Sequence, residues 1–164
     1  KYTDIDYRHV TYDGGNPALI STVAGETDVV TQLSVEEADM LRAGKLKALA
    51  VLSGNPLDLD GYGTIEPITN WIPEFKSAAI YFGLFVPKGV PDTVVETLGS
   101  IWDEQVKNSE ALMKFASENG LVFGPEWGEA AQELAFPMIQ LDAWIKYDSG
   151  QAVISPDTIG IPRP

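Results

Sequence analysis

From Asp6 to Tyr12 the side chains alternate, with Tyr7, His9 and Thr11 on one side and Arg8, Val10 and Tyr12 on the other. That period of two predicts a strand, stopped by the turn residues Asp13-Gly14-Gly15. Asn16 then reads as an N-cap and Pro17 as the first helical residue, where its missing N–H costs nothing. The helix is expected to close at Gly25. Thr27 to Leu33, rich in β-branched residues, predicts a second strand. Ser34-Val35-Glu36-Glu37 has the form of a capping box, and the helix it opens ends at Gly44. Leu46 to Leu52 predicts a third strand. Strand, helix, strand, helix, strand with short connections implies a parallel α/β sheet.

Beyond Leu52 the texture changes. Ser53 to Glu74 carries Pro56, Pro67 and Pro73 with Gly54, Gly61 and Gly63, and reads as a surface excursion with one helical turn near Ile65 to Trp71. Ala78 to Val86 is continuously apolar and predicts a strand buried on both faces. Apolar residues at 94, 98, 101, 102 and 106 form one helical stripe between Asp92 and Asn108. A further helix is expected from the Ser109 cap to Asn119-Gly120, and a short strand over Leu121 to Phe123. A longer helix is expected from Glu126 to Tyr147, with Trp127, Ala131, Leu134, Met138, Leu141 and Ile145 on one face and a kink at Pro137. The tail from Ser149 reads as extended, docked through Val153, Ile154, Ile159 and Ile161.

Composition narrows the classes. The 164 residues suffice for one ordinary domain or two small lobes, and 45% hydrophobic content with 10% aromatic residues rules out a disordered chain. With no cysteine there is neither thiolate nucleophile nor disulfide. Twenty-four acidic against 11 basic residues give a net charge of −13, which argues against a nucleic-acid partner. The apolar run Ala78 to Val86 falls well short of the roughly 20 residues that cross a bilayer. The chain opens Lys-Tyr-Thr-Asp, with neither an initiator Met nor an apolar leader, so removal of an upstream segment is expected.

Chemistry concentrates at Tyr12-Asp13-Gly14-Gly15-Asn16-Pro17-Ala18-Leu19. A strand end, two glycines and a helix start aim free backbone N–H groups at one point, which the helix dipole makes favourable for an anion. The loop suits a carboxylate or small oxyanion; it has neither the phosphate-loop lysine nor the dinucleotide glycine spacing. From the residues alone, Gly-Gly before a helix is more often plain turn chemistry. His9 is the only histidine, so a histidine-based zinc cluster cannot be assembled. No G-x-S-x-G elbow is present. Asp58-Leu59-Asp60-Gly61 resembles part of a calcium loop, but prolines stand where acidic ligands are needed, and a solvated acidic loop is the better reading. Trp102, Trp127 and Trp144 read as core residues, while Trp71 in the Pro-rich excursion does not.

The order of four blocks resembles the tripartite tricarboxylate transporter solute receptors, also called the Bug or TctC-like family. The blocks are Val10 to Leu19, Ala24-Gly25-Glu26-Thr27-Asp28-Val29, Ala43 to Val51, and Tyr81-Phe82-Gly83-Leu84-Phe85-Val86-Pro87-Lys88-Gly89-Val90-Pro91. The resemblance covers Ile5 to Tyr147. It implies a periplasmic receptor of the type II periplasmic-binding-protein class, with two lobes, an α/β fold and a mostly parallel sheet. Such a receptor closes on a small carboxylate and delivers it to membrane transporter subunits, without catalysis or cofactor. Carried over by position, the ligand-binding residues are Tyr12, Gly14, Gly15, Asn16 and Ala18, with Asp28 in the next block either a further contact or a pin for its own turn. The ligand would be held by amides, hydroxyls and bridging waters, so local dipoles rather than net charge would bind the anion.

Some features depart from the family pattern. Its members are substantially longer, with the additional part N-terminal, so the chain resembles the second half of such a receptor. Residues 1–76 would then belong to the second ligand-binding lobe, and residues 77–164 would form a crossover strand, helices returning toward the first lobe, and a tail. Dimerisation or association with the missing half is implied. Tyr81 stands where members often carry Trp, and the tail after Gly150 has no family counterpart. Two alternatives from other classes are a small α/β enzyme using loop carboxylates and a protein-interaction module.

Overall fold

Glycines in the left-handed region end the first two helices. In the computed structural model, which describes residues 5–77 and 79–164, α1 runs over Gly15–Val23 and α2 over Ser34–Arg42. Gly25 (φ 79°) and Gly44 (φ 64°) follow their C-caps Ala24 and Ala43. Both stops are those expected, because a residue with positive φ there lets N–H groups fold back onto the last carbonyls. Gly25 N–H accordingly reaches the Thr22 carbonyl at 3.0 Å, and Gly44 N–H the Leu41 carbonyl at 3.0 Å.

The remaining elements are β1 (Leu57–Leu59), β2 (Gly63–Ile65), α3 (Asp92–Ile101), α4 (Glu110–Glu118) and α5 (Gly128–Asp148). A π-helical stretch, Trp102–Val106, continues α3, and 3-10 turns occur at Ile68–Asn70 and Pro156–Ile159. The chain divides into two compact units. One comprises Lys1–Phe75 with Glu110–Phe123, and the other Lys76–Ser109 with Gly124–Pro164.

In the first unit, the core is built by α2 and the hairpin. Ala38 and Leu41 meet Leu59 and Ile65, and Leu46, Ala48, Val51, Leu57 and Tyr62 pack around them. β1 and β2 pair antiparallel, with Leu57 opposite Ile65 and Leu59 opposite Gly63. The Pro-rich segment therefore carries core residues, contrary to its reading as a surface excursion. Its helical turn does form, at Ile68–Asn70. Arg42 ties three elements of this unit together. Its Nε donates to the Asp60 carbonyl at 2.7 Å, its guanidinium also donates to the Glu118 carbonyl, and it pairs with Asp39 at 3.2 Å.

The mostly parallel sheet is not formed among the described residues. The sheet there has two antiparallel strands, and parallel pairing is confined to one bridge between Val51 and Pro67. The segments read as first, second and third strands carry no ladder beyond that bridge. A local hairpin closes over a few residues, whereas parallel strands need crossovers and neighbours covering both faces. Tyr7 is 79% exposed and Val29 is 65% exposed, so that cover is lacking here.

The same holds for the apolar segment of the second unit. Ala78 lies outside the described residues; Ala79 to Val86 is exposed and unpaired rather than buried on both faces. Phe85 reaches 91% exposure. Leu121 to Phe123 likewise forms no strand.

Two helix starts differ from expectation. Gly14, at φ 114°, is the N-cap of α1, so Asn16 and Pro17 fall inside the first turn. Ser34 is the first residue of α2 and makes no capping bond. Its hydroxyl instead donates to the Gly120 carbonyl at 2.9 Å, pinning α2 to the end of α4. The capping box is thus displaced by a long-range partner.

In the second unit, Trp127 is the N-cap of α5 and lies on Gly99, where any side chain would collide with the indole ring. Its indole N–H donates to Asp103 at 2.8 Å, and Lys107 bridges Asp103 and Glu126 at 2.9 and 3.1 Å. The expected stripe of α5 is only partly covered: Leu134 and Ile145 are exposed, and the buried residue is Trp144. Trp144 thus bears out its reading as core, while Trp71 is exposed.

Candidate functional site

The start of α1 gathers most of the residues singled out by sequence. Gly14 takes φ 114° and ψ 169°, a conformation essentially reserved for glycine, and so turns the chain sharply into the helix. Its own N–H is spent on the Tyr12 carbonyl at 2.9 Å. The next amides, of Gly15 and Asn16, stand in the first turn, where no intrahelical acceptor exists, and among the described residues no side-chain cap bond is made there. Pro17 has no N–H to offer. The anion-directed cradle therefore reduces to two N–H groups at the positive end of the helix dipole.

Tyr12 is anchored beside this turn. Its hydroxyl lies 2.5 Å from the Ser21 hydroxyl, which donates to Glu26 at 3.0 Å. Ser21 is buried, so the chain Tyr12–Ser21–Glu26 fixes the phenol across the body of α1. Ala18 contributes its carbonyl, which accepts from the Thr22 hydroxyl at 3.1 Å. Thr22 and Thr27 then share a hydrogen bond at 2.7 Å, tying the end of α1 to the following segment. Asp28 is exposed, and among the described residues no hydrogen bond or ion pair joins it to the Gly14–Asn16 turn. Three of the six residues, Gly15, Asn16 and Ala18, thus lie on α1, with Gly14 as its N-cap and Tyr12 just before it, and Asp28 stands apart.

Sequence reasoning missed Glu36. Its carboxylate lies against Gly15, in the space a Cβ at that position would fill. A carboxylate at a helix N-terminus is electrostatically favoured. The residue that permits this approach is Gly15, and the signal in the sequence was the second glycine of the pair. Beside it, Glu37 is half-buried in the first turn of α2, and its pKa is raised to about 7 by burial and by the neighbouring Glu36 charge.

Other concentrations of polar groups offer less. A shallow open depression of about 450 Å³ is lined by Arg42, Asp60, Gly61, Glu118 and Asn119, but the Arg42 guanidinium is already engaged with its carbonyl and carboxylate partners. His9 is exposed and packs edge-on against Tyr7 with ring centroids 6.5 Å apart. Asp58 accepts from Thr64 at 2.5 Å across the hairpin, so the acidic Asp58–Gly61 stretch is the end of β1 and the start of the turn that follows it. Among the described residues no group of three or more His, Cys, Asp or Glu side chains could hold a metal ion.

The geometry thus comprises two N-terminal amides of α1 and, further along the helix, a tyrosine hydroxyl held by Ser21. The chain belongs to the tripartite tricarboxylate transporter receptor family, whose model matches residues 2–141. Among curated proteins it is similar to a UPF0065 protein from the clcB–clcD intergenic region of Pseudomonas knackmussii, 28% identical over 113 residues covering 68% of this chain and 66% of that protein. A UPF0065 protein of Bordetella pertussis is 25% identical over 130 residues, covering 79% of this chain and 38% of the relative. A third, from the tcbD–tcbE intergenic region of a Pseudomonas species, is 28% identical over 102 residues, with 59% and 29% covered. The chain therefore spans less than two thirds of the length of these relatives. No solved structure matches it significantly. No helix among the described residues is long and apolar enough to cross a membrane.

Proposed function

We propose that this chain forms ligand-binding structure of a periplasmic solute receptor, which captures a small organic carboxylate and presents it to tripartite membrane-transporter subunits. The observation that carries this reading is the start of α1, where the Gly15 and Asn16 amides follow the positive-φ Gly14 and a carboxylate, that of Glu36, already lies against Gly15. Family membership supplies the class of ligand and transporter. One carboxylate of the ligand sits on the two amides in place of the Glu36 carboxylate, and the Tyr12 hydroxyl is held by Ser21 of the same helix. Capture rather than bond chemistry is the mechanism, and no catalytic residue or cofactor is invoked.

The reading extends to the architecture. Two lobes of the type II periplasmic-binding class, joined through a mostly parallel sheet, give the exposed segment Ala79 to Val86 a place as a strand between neighbours. The exposure of Ile80, Phe82, Leu84 and Phe85 supports a second polypeptide surface covering it. Asp28 stays a ligand contact in this reading, at the loop following α1.

The test is thermal unfolding in the presence of a panel of mono-, di- and tricarboxylates. A ligand at a hundred times its Kd stabilises by about 2.7 kcal/mol, a readily measured rise in Tm. At least one acid is expected to give a saturable shift, and a flat response across the panel would overturn the binding role.

A further inference from the structure

The family match stops at residue 141, inside α5, but the chain continues into a Pro-rich tail. The tail turns at Gly150 (φ 76°), makes the 3-10 turn Pro156–Ile159, turns again at Gly160 (φ 82°) and ends as Ile161-Pro162-Arg163-Pro164. Of the apolar residues expected to dock it, Val153 is 99% exposed, Ile154 66% and Ile159 67%, while Ile161 is half-buried. Nonspecific burial of the first three side chains therefore does not hold the tail in place.

Directional contacts with α5 hold its last residues. The Trp144 indole N–H donates to the carbonyls of Ile161 and Pro162 at 3.2 and 2.9 Å. Gln140, one turn earlier, donates to the same Pro162 carbonyl at 2.7 Å. The Arg163 guanidinium lies 4.1 Å from the centroid of the Trp144 ring and also makes two bonds to Asp148, at 3.0 and 2.9 Å. Tyr147 meets Trp144 edge-on at 5.7 Å, completing the aromatic wall. Trp144 itself is only 7% exposed.

This is the chemistry by which aromatic grooves read proline-rich peptides. Proline pre-orders the backbone and leaves carbonyls free for an indole donor, while an acidic residue fixes the neighbouring Arg in a bidentate pair. An Arg stacked on Trp adds a cation–π attraction. We propose that the Trp144 face of α5 is a peptide-recognition groove for an Ile-Pro-Arg-Pro segment, and that the chain's own residues 161–164 occupy it in cis as a latch. A short flexible tether gives an effective concentration on the order of millimolar, so a sub-millimolar affinity keeps the latch closed. The inference rests on α5 and the tail alone and is independent of the receptor reading.

The experiment uses the full-length chain carrying Arg163→Ala, with Asp148→Asn as a second variant that opens the latch from the helix side. The readout is the Trp144 indole ¹⁵N–¹H resonance, assigned by its loss in Trp144→Phe. Each opening variant is expected to shift this resonance and to raise acrylamide quenching of tryptophan fluorescence. A synthetic peptide of residues 155–164, added in trans to the Arg163→Ala chain, is expected to restore the resonance with a sub-millimolar Kd. The same peptide with its Arg replaced by Ala is expected to bind about tenfold more weakly. An unmoved indole resonance in both variants would overturn the latch. Failure of millimolar peptide to restore it would overturn the recognition groove.

Discussion

At Gly14 the backbone holds φ 114° and ψ 169°, and any Cβ there is strained whatever space surrounds it. Gly14→Ala is expected to lower stability by about 1–3 kcal/mol, measured by urea denaturation, because the strained turn admits essentially only glycine. Glu37 gives a prediction in pH. Its pKa is pushed up to about 7 in the folded protein from an ordinary 4.5, so between these values the folded state holds a proton that the unfolded state has released. Its contribution is fully present below the unfolded pKa and is lost as pH rises through the folded one. Stability is therefore expected to fall between about pH 4.5 and pH 7, and Glu37→Gln to flatten that slope. Solvent screening at a half-exposed carboxyl holds the difference to about 1 kcal/mol at pH 8, read from paired urea curves. If the variant's slope matches that of the parent, Glu37 is not the titrating group.

Among elements, the hairpin is central to the first unit. Leu59 is 2% exposed and Ile65 8%, and both face Ala38 and Leu41 of α2. Leu59→Ala is expected to cost about 2–5 kcal/mol, and a loss under 1 kcal/mol in chemical denaturation would show that this cluster is not the core. The ends of helices were legible in sequence because their signals are local: Gly25, Gly44 and Gly120 each stand just beyond a helix at positive φ. The start of α2 was not, because the partner of Ser34 is the Gly120 carbonyl, 86 residues away. Strands were least legible. Thr27 to Leu33 and Leu46 to Ala50 have strand composition, but β-propensity expresses packing against neighbours, and here the ladder partners are not supplied. The tail was legible only at Ile161, because polar contacts of Trp144, Gln140 and Arg163 hold its last residues while Val153, Ile154 and Ile159 stay exposed. Of the candidate site, the Gly14–Asn16 turn was readable from glycine spacing. The approach of Glu36 was not, because it joins the first turns of two separate helices.

For the whole molecule, a charge of −13 and a row of exposed apolar residues act in opposite directions. Net charge keeps copies apart, while Ile80, Phe82, Leu84 and Phe85 offer area to a covering surface. Mass measured by light scattering is expected to rise with protein concentration, and more steeply in high salt where repulsion is screened. A constant monomer mass under both conditions would show that no second copy covers the segment. At short range two amides and a helix dipole favour capture of a carboxylate, and the Glu36 carboxylate against Gly15 is the local charge that a ligand must displace. That capture is most directly tested by following the Gly15 and Asn16 backbone amides in ¹⁵N–¹H spectra during titration with organic acids. Both resonances are expected to move together and saturate with at least one carboxylate. Amides that stay fixed while a carboxylate binds elsewhere, or through the whole panel, would contradict the account.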